Sequence, residues 1–150
     1  MKKFFIAVLS ALLFAGLASA QPRAIGARLG GDAEVSYQHN LGTNFLEADL
    51  GMALGNFGGF RLTGIYDFNF ELADSFNFYV GPGAQLGMYA GVDANNNPKA
   101  GFGFAIGGQL GLEYQIGSIP LNVSLDWRPM WHFVGAPSWS SAALGIRYRF

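Results

Sequence analysis

The sequence has no cysteine and few charged residues. Without cysteine there are no disulfide bridges and no thiolate metal sites. Charged residues make up 13% of the 150 residues and the formal net charge is −1. A nucleic-acid partner would need a basic patch, which this charge balance does not provide. The sequence therefore predicts no nucleic-acid partner, and it contains no motif that predicts a metal site or a cofactor.

Long apolar runs are also missing after residue 20. A transmembrane helix needs about 20 consecutive apolar residues, and no stretch beyond Gln21 approaches that length. The first twenty residues differ from the rest. Lys2 and Lys3 precede an apolar stretch over 4–17, and Ala18-Ser19-Ala20 gives a small-residue cleavage pattern. We therefore predict a cleaved signal peptide over 1–20 and an exported mature domain over 21–150.

An alternation of period two runs through almost the whole mature domain and is typical of β-strands. The last segment alternates large apolar residues with small or charged ones: Leu144, Gly145, Ile146, Arg147, Tyr148, Arg149 and Phe150. Eight such segments are separated by turn-forming stretches at 30–32, 41–44, 55–59, 73–75, 91–100, 117–118 and 135–137. Single-chain outer-membrane barrels have an even number of strands. The pattern predicts an all-β fold, an eight-stranded antiparallel up-and-down transmembrane β-barrel.

The polarity of the two strand faces decides between two kinds of barrel. A soluble barrel, such as a lipocalin-like lipid carrier, places the apolar face inside, whereas a membrane barrel places it outside. Glycine and alanine are frequent on the polar face, which suits the narrow lumen of eight strands. The cations predicted on that face are all arginine, whose planar guanidinium pairs with carboxylates through two hydrogen bonds. The membrane barrel is favoured, and the soluble carrier remains the alternative.

The charged residues predicted to face the lumen are of both signs and can pair. They are Arg28, Glu34, Glu47, Asp49, Arg61, Asp67, Glu71, Glu113, Asp126, Arg128, Arg147 and Arg149. We expect Arg61, Arg128, Arg147 and Arg149 to pair with Glu47, Asp67, Glu113 and Asp126. Aqueous channels belong to barrels of about 16 strands or more, so this set is expected to close the lumen.

Aromatic residues are predicted to form two girdles, one at each end of the strands. One girdle contains Phe70, Phe76, Tyr114 and Tyr148, and the other contains Phe60, Phe102, Trp131 and Phe133. Two prolines conflict with regular strands, because Pro82 and Pro129 cannot donate a ladder hydrogen bond. We interpret both as β-bulges, with a kinked or broken strand as the alternative.

The ending Leu144, Ile146, Tyr148 and Phe150 resembles that of small outer-membrane barrels of the OmpA-transmembrane, OmpX and opacity-protein type. The likeness is greatest to uncharacterised small barrels of Bacteroidetes-type bacteria. The resemblance implies that these four residues form the signal read by the barrel-assembly machinery. It also implies insertion among the lipids of the bacterial outer membrane, with both termini in the periplasm.

The predicted function is that of a non-enzymatic structural or surface-interaction barrel, with the 91–100 loop as the contact for an extracellular ligand. An enzyme that modifies outer-membrane lipid, similar to lipid A acylases and deacylases, is the alternative. Such an enzyme would use histidine and serine, and the candidates are His39, His132, Ser138, Ser140 and Ser141. Because the two histidines lie on separate predicted strands, we expect no catalytic site.

Overall fold

The computed structural model describes residues 22–52, 58–92, 94–133 and 141–150, so the predicted signal peptide lies outside the described residues. The described chain is built from β-strands. They are β1 (Pro22–Leu29), β2 (Ala33–Leu41), β3 (Asn44–Met52), β4 (Gly58–Ala73), β5 (Phe76–Val92), β6 (Pro98–Gln115), β7 (Leu121–Trp127), β8 (Met130–His132) and β9 (Ala142–Arg149). Within these ranges we find no helix long and apolar enough to cross a bilayer.

The strands close into one antiparallel barrel. Neighbours in sequence pair from β1 to β7, β7 pairs with β9, and β9 returns to β1 with Ala24 opposite Arg149. Both β7 and β8 pair with β6, and their registers are continuous, since Trp127 faces Leu110 and Met130 faces Gly107. They are therefore two parts of one barrel strand. The prediction of an eight-stranded antiparallel barrel is confirmed.

The barrel has two distinct ends and is taller on one side. At the turn end lie the start of β1, the end of β9 and the short connections at 42–43, 74–75 and 116–120. At the loop end β1 joins β2 and β5 joins β6. Strands β4, β5 and β6 contain 16, 17 and 18 residues, against 8 or 9 in β1, β2, β3 and β9. The β5–β6 hairpin therefore extends furthest at the loop end.

The loop expected over 91–100 is shorter in the structure. Gly91 pairs with Lys99 and Val92 pairs with Pro98, so the β5–β6 ladder continues into the stretch that the sequence assigned to the loop. At the tip, Asn96 adopts a positive φ of 65°, which asparagine tolerates better than most residues. The described part of the connection is therefore a short hairpin tip over 94–97.

Neither proline forms a β-bulge, so that interpretation is wrong. Pro82 faces Gly108 in an unshifted β5–β6 ladder, and the β4–β5 ladder skips two pairs of positions, Tyr66 with Pro82 and Asp67 with Gly81, without changing register. At Pro129 the strand is interrupted between β7 and β8, again without an added residue. The Pro129 carbonyl still accepts a hydrogen bond from the Gly108 amide at 3.2 Å. Each proline removes one donor, and the ladder tolerates the gap.

Candidate functional site

Arg128 lies at the centre of the lumen and is only 2% exposed. It sits at the interruption between β7 and β8, where its backbone N–H donates to the Ser141 carbonyl. Its guanidinium donates to Gln109 Oε1 at 2.7 Å, to Glu34 Oε2 at 3.1 Å and to Glu47 Oε1 at 2.9 Å, and it also pairs with Asp49. Three carboxylates therefore converge on one buried cation.

Arg147 on β9 forms the second cation of the same network. It is fully buried, and its Nη2 lies 3.2 Å from Glu47 Oε2, so Glu47 bridges Arg147 and Arg128. Its remaining donors go to Ser36 Oγ at 2.8 Å and Ser124 Oγ at 2.7 Å. An added Cβ at the neighbouring Gly145 would lie 2.6 Å from Arg147 Nη1. Glycine at this position leaves the space that the guanidinium occupies.

Arg28 on β1 forms the third cation. It donates to Asp126 Oδ1 from Nε at 2.8 Å and to Glu34 Oε2 from Nη1 at 2.9 Å. Glu34 therefore bridges Arg28 and Arg128, as Glu47 bridges Arg128 and Arg147. We call this connected set the charge plug, and it consists of Arg28, Glu34, Glu47, Asp49, Asp126, Arg128 and Arg147. Such groups are tolerated in a low-dielectric interior only when they are paired and hydrogen-bonded.

Arg23 joins the lumen although its sequence position does not predict it. The β1–β2 register shifts between Pro22 and Ala24, so Arg23 is the extra residue of a β-bulge and its side chain turns inward. Its guanidinium donates to Glu113 at 2.5 and 3.0 Å, bonds Gln38, and lies 4.2 Å above the Phe45 ring. The proline beside Arg23 is the one sequence signal that could have indicated an irregular strand.

The other predicted lumen residues lie apart from the charge plug. Arg61 pairs with Asp32 in the turn after β1, and its side chain is 29% exposed. Arg149 donates to Gln115 Oε1 at 2.9 Å at the turn end. The partner of Asp67 is an amide, Gln109 Nε2, at 3.3 Å.

These three contacts differ from the expected pairing. Glu113 and Asp126 also have other partners than expected, namely Arg23 and Arg28. Glu71 is exposed at the turn end and is therefore not part of the buried set. Alternation predicts which face of the strand a side chain occupies. It does not predict the level along the barrel axis at which that side chain meets others across the lumen.

Apolar side chains occupy the lumen on both sides of the charge plug. Towards the loop end, Ile65, Ala105 and Met130 form a buried cluster. Towards the turn end, the rings of Phe45 and Tyr79 meet edge to face at 5.6 Å, and both residues are fully buried. The described lumen is thus filled by charged, polar and apolar side chains in turn.

A cavity lies at each mouth of the described lumen. The loop-end cavity measures about 170 Å³ and is lined by residues that include Arg28, Arg61 and Arg128. The turn-end cavity measures about 420 Å³ and is lined almost entirely by polar residues, among them Asn69, Glu71 and Asp74. The described residues contain no group of three histidine, cysteine or acidic side chains placed to hold a metal ion.

The structure does not bring the two histidines proposed for lipid chemistry together in one site. His39 lies near the turn end and contacts the Tyr37 hydroxyl at 3.3 Å, whereas His132 lies on β8 near the loop end, opposite Ala105. Ser141 donates its hydroxyl to the Arg128 carbonyl. Ser138 and Ser140 lie outside the described residues. The two imidazoles are therefore separated by most of the barrel height.

The outer wall carries the aromatic residues and the carboxy-terminal apolar residues. Phe76 and Tyr114 face each other at 4.8 Å near the turn end, and Phe104 and Phe133 stack at 5.3 Å near the loop end. All the predicted girdle and carboxy-terminal residues are exposed. They are Phe60, Phe70, Phe76, Phe102, Tyr114, Trp131, Phe133, Leu144, Ile146, Tyr148 and Phe150.

This architecture was compared with known proteins. No protein-family model matches the sequence, and no curated protein matches it. Among solved structures, the crystal structure of Neisserial surface protein A (NspA) matches with a TM-score of 0.60 over 86% of this chain and 94% of that chain. The fold is that of a small outer-membrane β-barrel. The identity is 10%, so the likeness concerns the fold.

Proposed function

We propose that this protein is an integral outer-membrane barrel of structural or surface-interaction type, with a lumen closed by the charge plug. In this proposal the segment 1–20 is a cleaved signal peptide, and the barrel-assembly machinery reads the carboxy-terminal residues. The turn end faces the periplasm and the loop end faces outward. Neisserial surface protein A is named as a surface protein, which agrees with a surface role.

The observation that carries the proposal is the inverted polarity of the barrel. Arg147 and Glu47 are completely buried, whereas Phe102 is 79% exposed and Leu125 60% exposed. In water, each exposed large apolar side chain forgoes about 1.5–3 kcal/mol of burial free energy. A soluble monomer rarely carries a continuous apolar surface of this extent. A lipid environment removes that penalty, which argues against the soluble carrier.

The height of the apolar wall fits a membrane. On β6 the outward ring of Phe104 and that of Tyr114 are ten positions apart. At about 3.4 Å per residue and a tilt of about 45°, this separation corresponds to about 24 Å along the barrel axis. The apolar band of outer-membrane barrels is about 25 Å tall. The spacing of these two outward rings therefore matches the two interfaces of one bilayer.

The filled lumen supports a closed barrel, and the positions of the histidines support a non-enzymatic role. The charge plug and the Ile65 cluster occupy the space that a channel would need. The separation of His39 from His132 removes the arrangement in which two imidazoles act together. The exposed hairpin tip over 94–97, within the predicted 91–100 contact, is the surface offered to an extracellular ligand.

Cell fractionation combined with detergent gels tests the proposal. We expect the protein in the outer-membrane fraction, migrating faster unboiled than boiled because the closed barrel stays compact in detergent. A periplasmic protein with the same mobility before and after boiling would overturn the proposal and favour the soluble carrier. Mass spectrometry of lipid A from cells with and without the protein tests the enzyme alternative, and we expect identical spectra.

A further inference from the structure

Asp67 on β4 is a fully buried carboxyl group without a cation partner. Every other buried carboxyl group of the described lumen forms an ion pair with an arginine. These paired groups are Glu34, Glu47, Asp49, Glu113 and Asp126. Among the described residues Asp67 takes part in no such pair. It therefore lacks the cation that makes an ionised group tolerable in a low-dielectric interior.

The hydrogen bonds offered to Asp67 are also few. Its Oδ2 atom accepts one from Gln109 Nε2 at 3.3 Å, and its Oδ1 atom is shielded from solvent with no donor among the described residues. The Oδ1 atom of Asp49 lacks a donor too, but the other oxygen of that carboxylate pairs with Arg128. An ionised carboxylate presents about four lone-pair sites to donors. The surroundings of Asp67 satisfy one of them.

The single donor of Asp67 is shared with a second carboxylate. Gln109 Oε1 accepts from Arg128 Nε at 2.7 Å, which fixes the orientation of the amide. The NH2 group of Gln109 then donates to Glu47 Oε1 at 3.2 Å and to Asp67 Oδ2 at 3.3 Å. Glu47 is ionised, because it pairs with both Arg128 and Arg147. A negative charge on Asp67 would therefore face that of Glu47 across one neutral amide.

The other titratable or charged groups around Asp67 are engaged elsewhere. They are Glu47 on β3, Tyr79 on β5, Asp126 on β7, Arg128 directly after β7 and Arg147 on β9. Tyr79 donates its hydroxyl to Asp126 at 3.4 Å, and both arginines pair with Glu47. The packing around Asp67 thus supplies carboxylates of the same sign and no cation that binds it directly.

We propose that Asp67 is a proton-binding site and that the lumen carries a neutral carboxylic acid beside the charge plug at neutral pH. A buried acidic group without a partner becomes neutral, because a lone charge costs far more in an apolar environment than a neutral polar group. The neutral acid still accepts the hydrogen bond from Gln109, and it does not repel Glu47. This site does not depend on the surface role proposed above.

Infrared spectroscopy of the full mature chain in detergent at neutral pH tests the site. A protonated carboxyl group absorbs through its C=O stretch above the amide I band, whereas a carboxylate does not. We expect this band in the wild-type protein, and carbon-13 labelling of the aspartate side chains should shift it. Asp67→Asn should remove the intensity of one carboxyl group. The control is Asp49→Asn, a buried aspartate that pairs with Arg128, and it should retain that intensity.

Urea unfolding between pH 5 and pH 7 gives an independent readout. The unfolded chain releases the Asp67 proton above about pH 4, so the native state holds one proton more than the unfolded state. The unfolding equilibrium constant of the wild type should therefore rise about tenfold per pH unit relative to that of Asp67→Asn. The other titrating groups are common to both proteins, and unboiled gel mobility confirms that each variant is folded.

Four results would overturn the proposal. In the infrared spectra they are the absence of the band from the wild type, a band that labelling does not shift, and full intensity in Asp67→Asn. In urea unfolding it is a ratio of the two equilibrium constants that stays the same from pH 5 to pH 7.

Discussion

The Nη2 atom of Arg128 lies 2.9 Å from Glu47 Oε1, and neither side chain is accessible to more than 2%. Glu47 comes from β3 and Arg128 from the gap between β7 and β8, so this contact joins opposite walls of the barrel. Through Glu34 and Glu47, it connects Arg28 and Arg147 as well. The lumen is therefore cross-linked by charge at its centre.

Replacing Arg128 with leucine should destabilise the barrel strongly. The change leaves Glu34, Glu47 and Asp49 without their shared cation, and removing one partner of a buried pair costs about 3–5 kcal/mol. Urea unfolding in detergent, followed by intrinsic fluorescence, measures the loss. The control is Arg61→Leu, the same chemical change at a half-exposed pair, for which we expect less than about 1 kcal/mol. Equal losses in the two variants would contradict the central role of Arg128.

Two buried aspartates should respond differently to replacement by asparagine. Asp126 receives two hydrogen bonds from Arg28, whereas Asp67 has an amide partner at 3.3 Å. Asp126→Asn should lower the free energy of unfolding by about 1.5–3 kcal/mol, the contribution of a hydrogen bond to a charged group. Asp67→Asn should change it by less than about 1 kcal/mol, because asparagine can still accept from Gln109. A reversed order in urea unfolding would show that the pairing is wrong.

Gly81 should not tolerate alanine. An added Cβ at Gly81 would lie 1.7 Å from the Tyr66 carbonyl oxygen, and backbone cannot move aside as a flexible side chain can. We expect Gly81→Ala to lose about 1–3 kcal/mol through overpacking. Gly103→Ala is the matched control, because an added Cβ there meets nothing within 4 Å. Thermal unfolding in detergent compares the two, and equal melting temperatures would refute this prediction.

Alternation in the sequence was sufficient to predict the number of strands and the face of most residues. Side chains point to opposite faces with a period of two, so Arg28, Glu47 and Arg147 could be placed inside from position alone. Arg23 could not, because the bulge between Pro22 and Ala24 reverses the parity there. A single inserted residue changes the face of a side chain and leaves almost no mark in the sequence.

Pairing inside the lumen was beyond the sequence because it depends on strand register. Arg61 pairs with Asp32, a turn residue, because the loop end of β4 and the β1–β2 turn line the same mouth of the lumen. The inward packing of Phe45 and Ile65 was also missed. Both are large apolar residues at positions of inward parity, where their volume fills the lumen above and below the charged groups.

The lumen should not conduct ions at rest. In the proposed closed barrel the charge plug lies between the buried cluster of Ile65, Ala105 and Met130 and the Phe45–Tyr79 pair, and we therefore expect no continuous water path through the described lumen. Planar-bilayer recordings of the purified protein should show no steady conductance. A stable open level in wild-type protein, reproduced in independent preparations, would exclude the closed barrel.

The most direct test of the central claim is a spin-label depth profile along β6. The chain lacks cysteine, so single cysteines can be placed at the outward positions 104, 106, 108, 110, 112 and 114 of the protein in lipid vesicles. Collision rates with oxygen and with a water-soluble nickel chelate report the depth of each label. The account predicts that the ratio of oxygen to nickel collisions peaks near positions 108 and 110 and falls towards Phe104 and Tyr114. Uniformly high collision with the nickel chelate would show that the apolar wall faces water, which would contradict a membrane-spanning barrel.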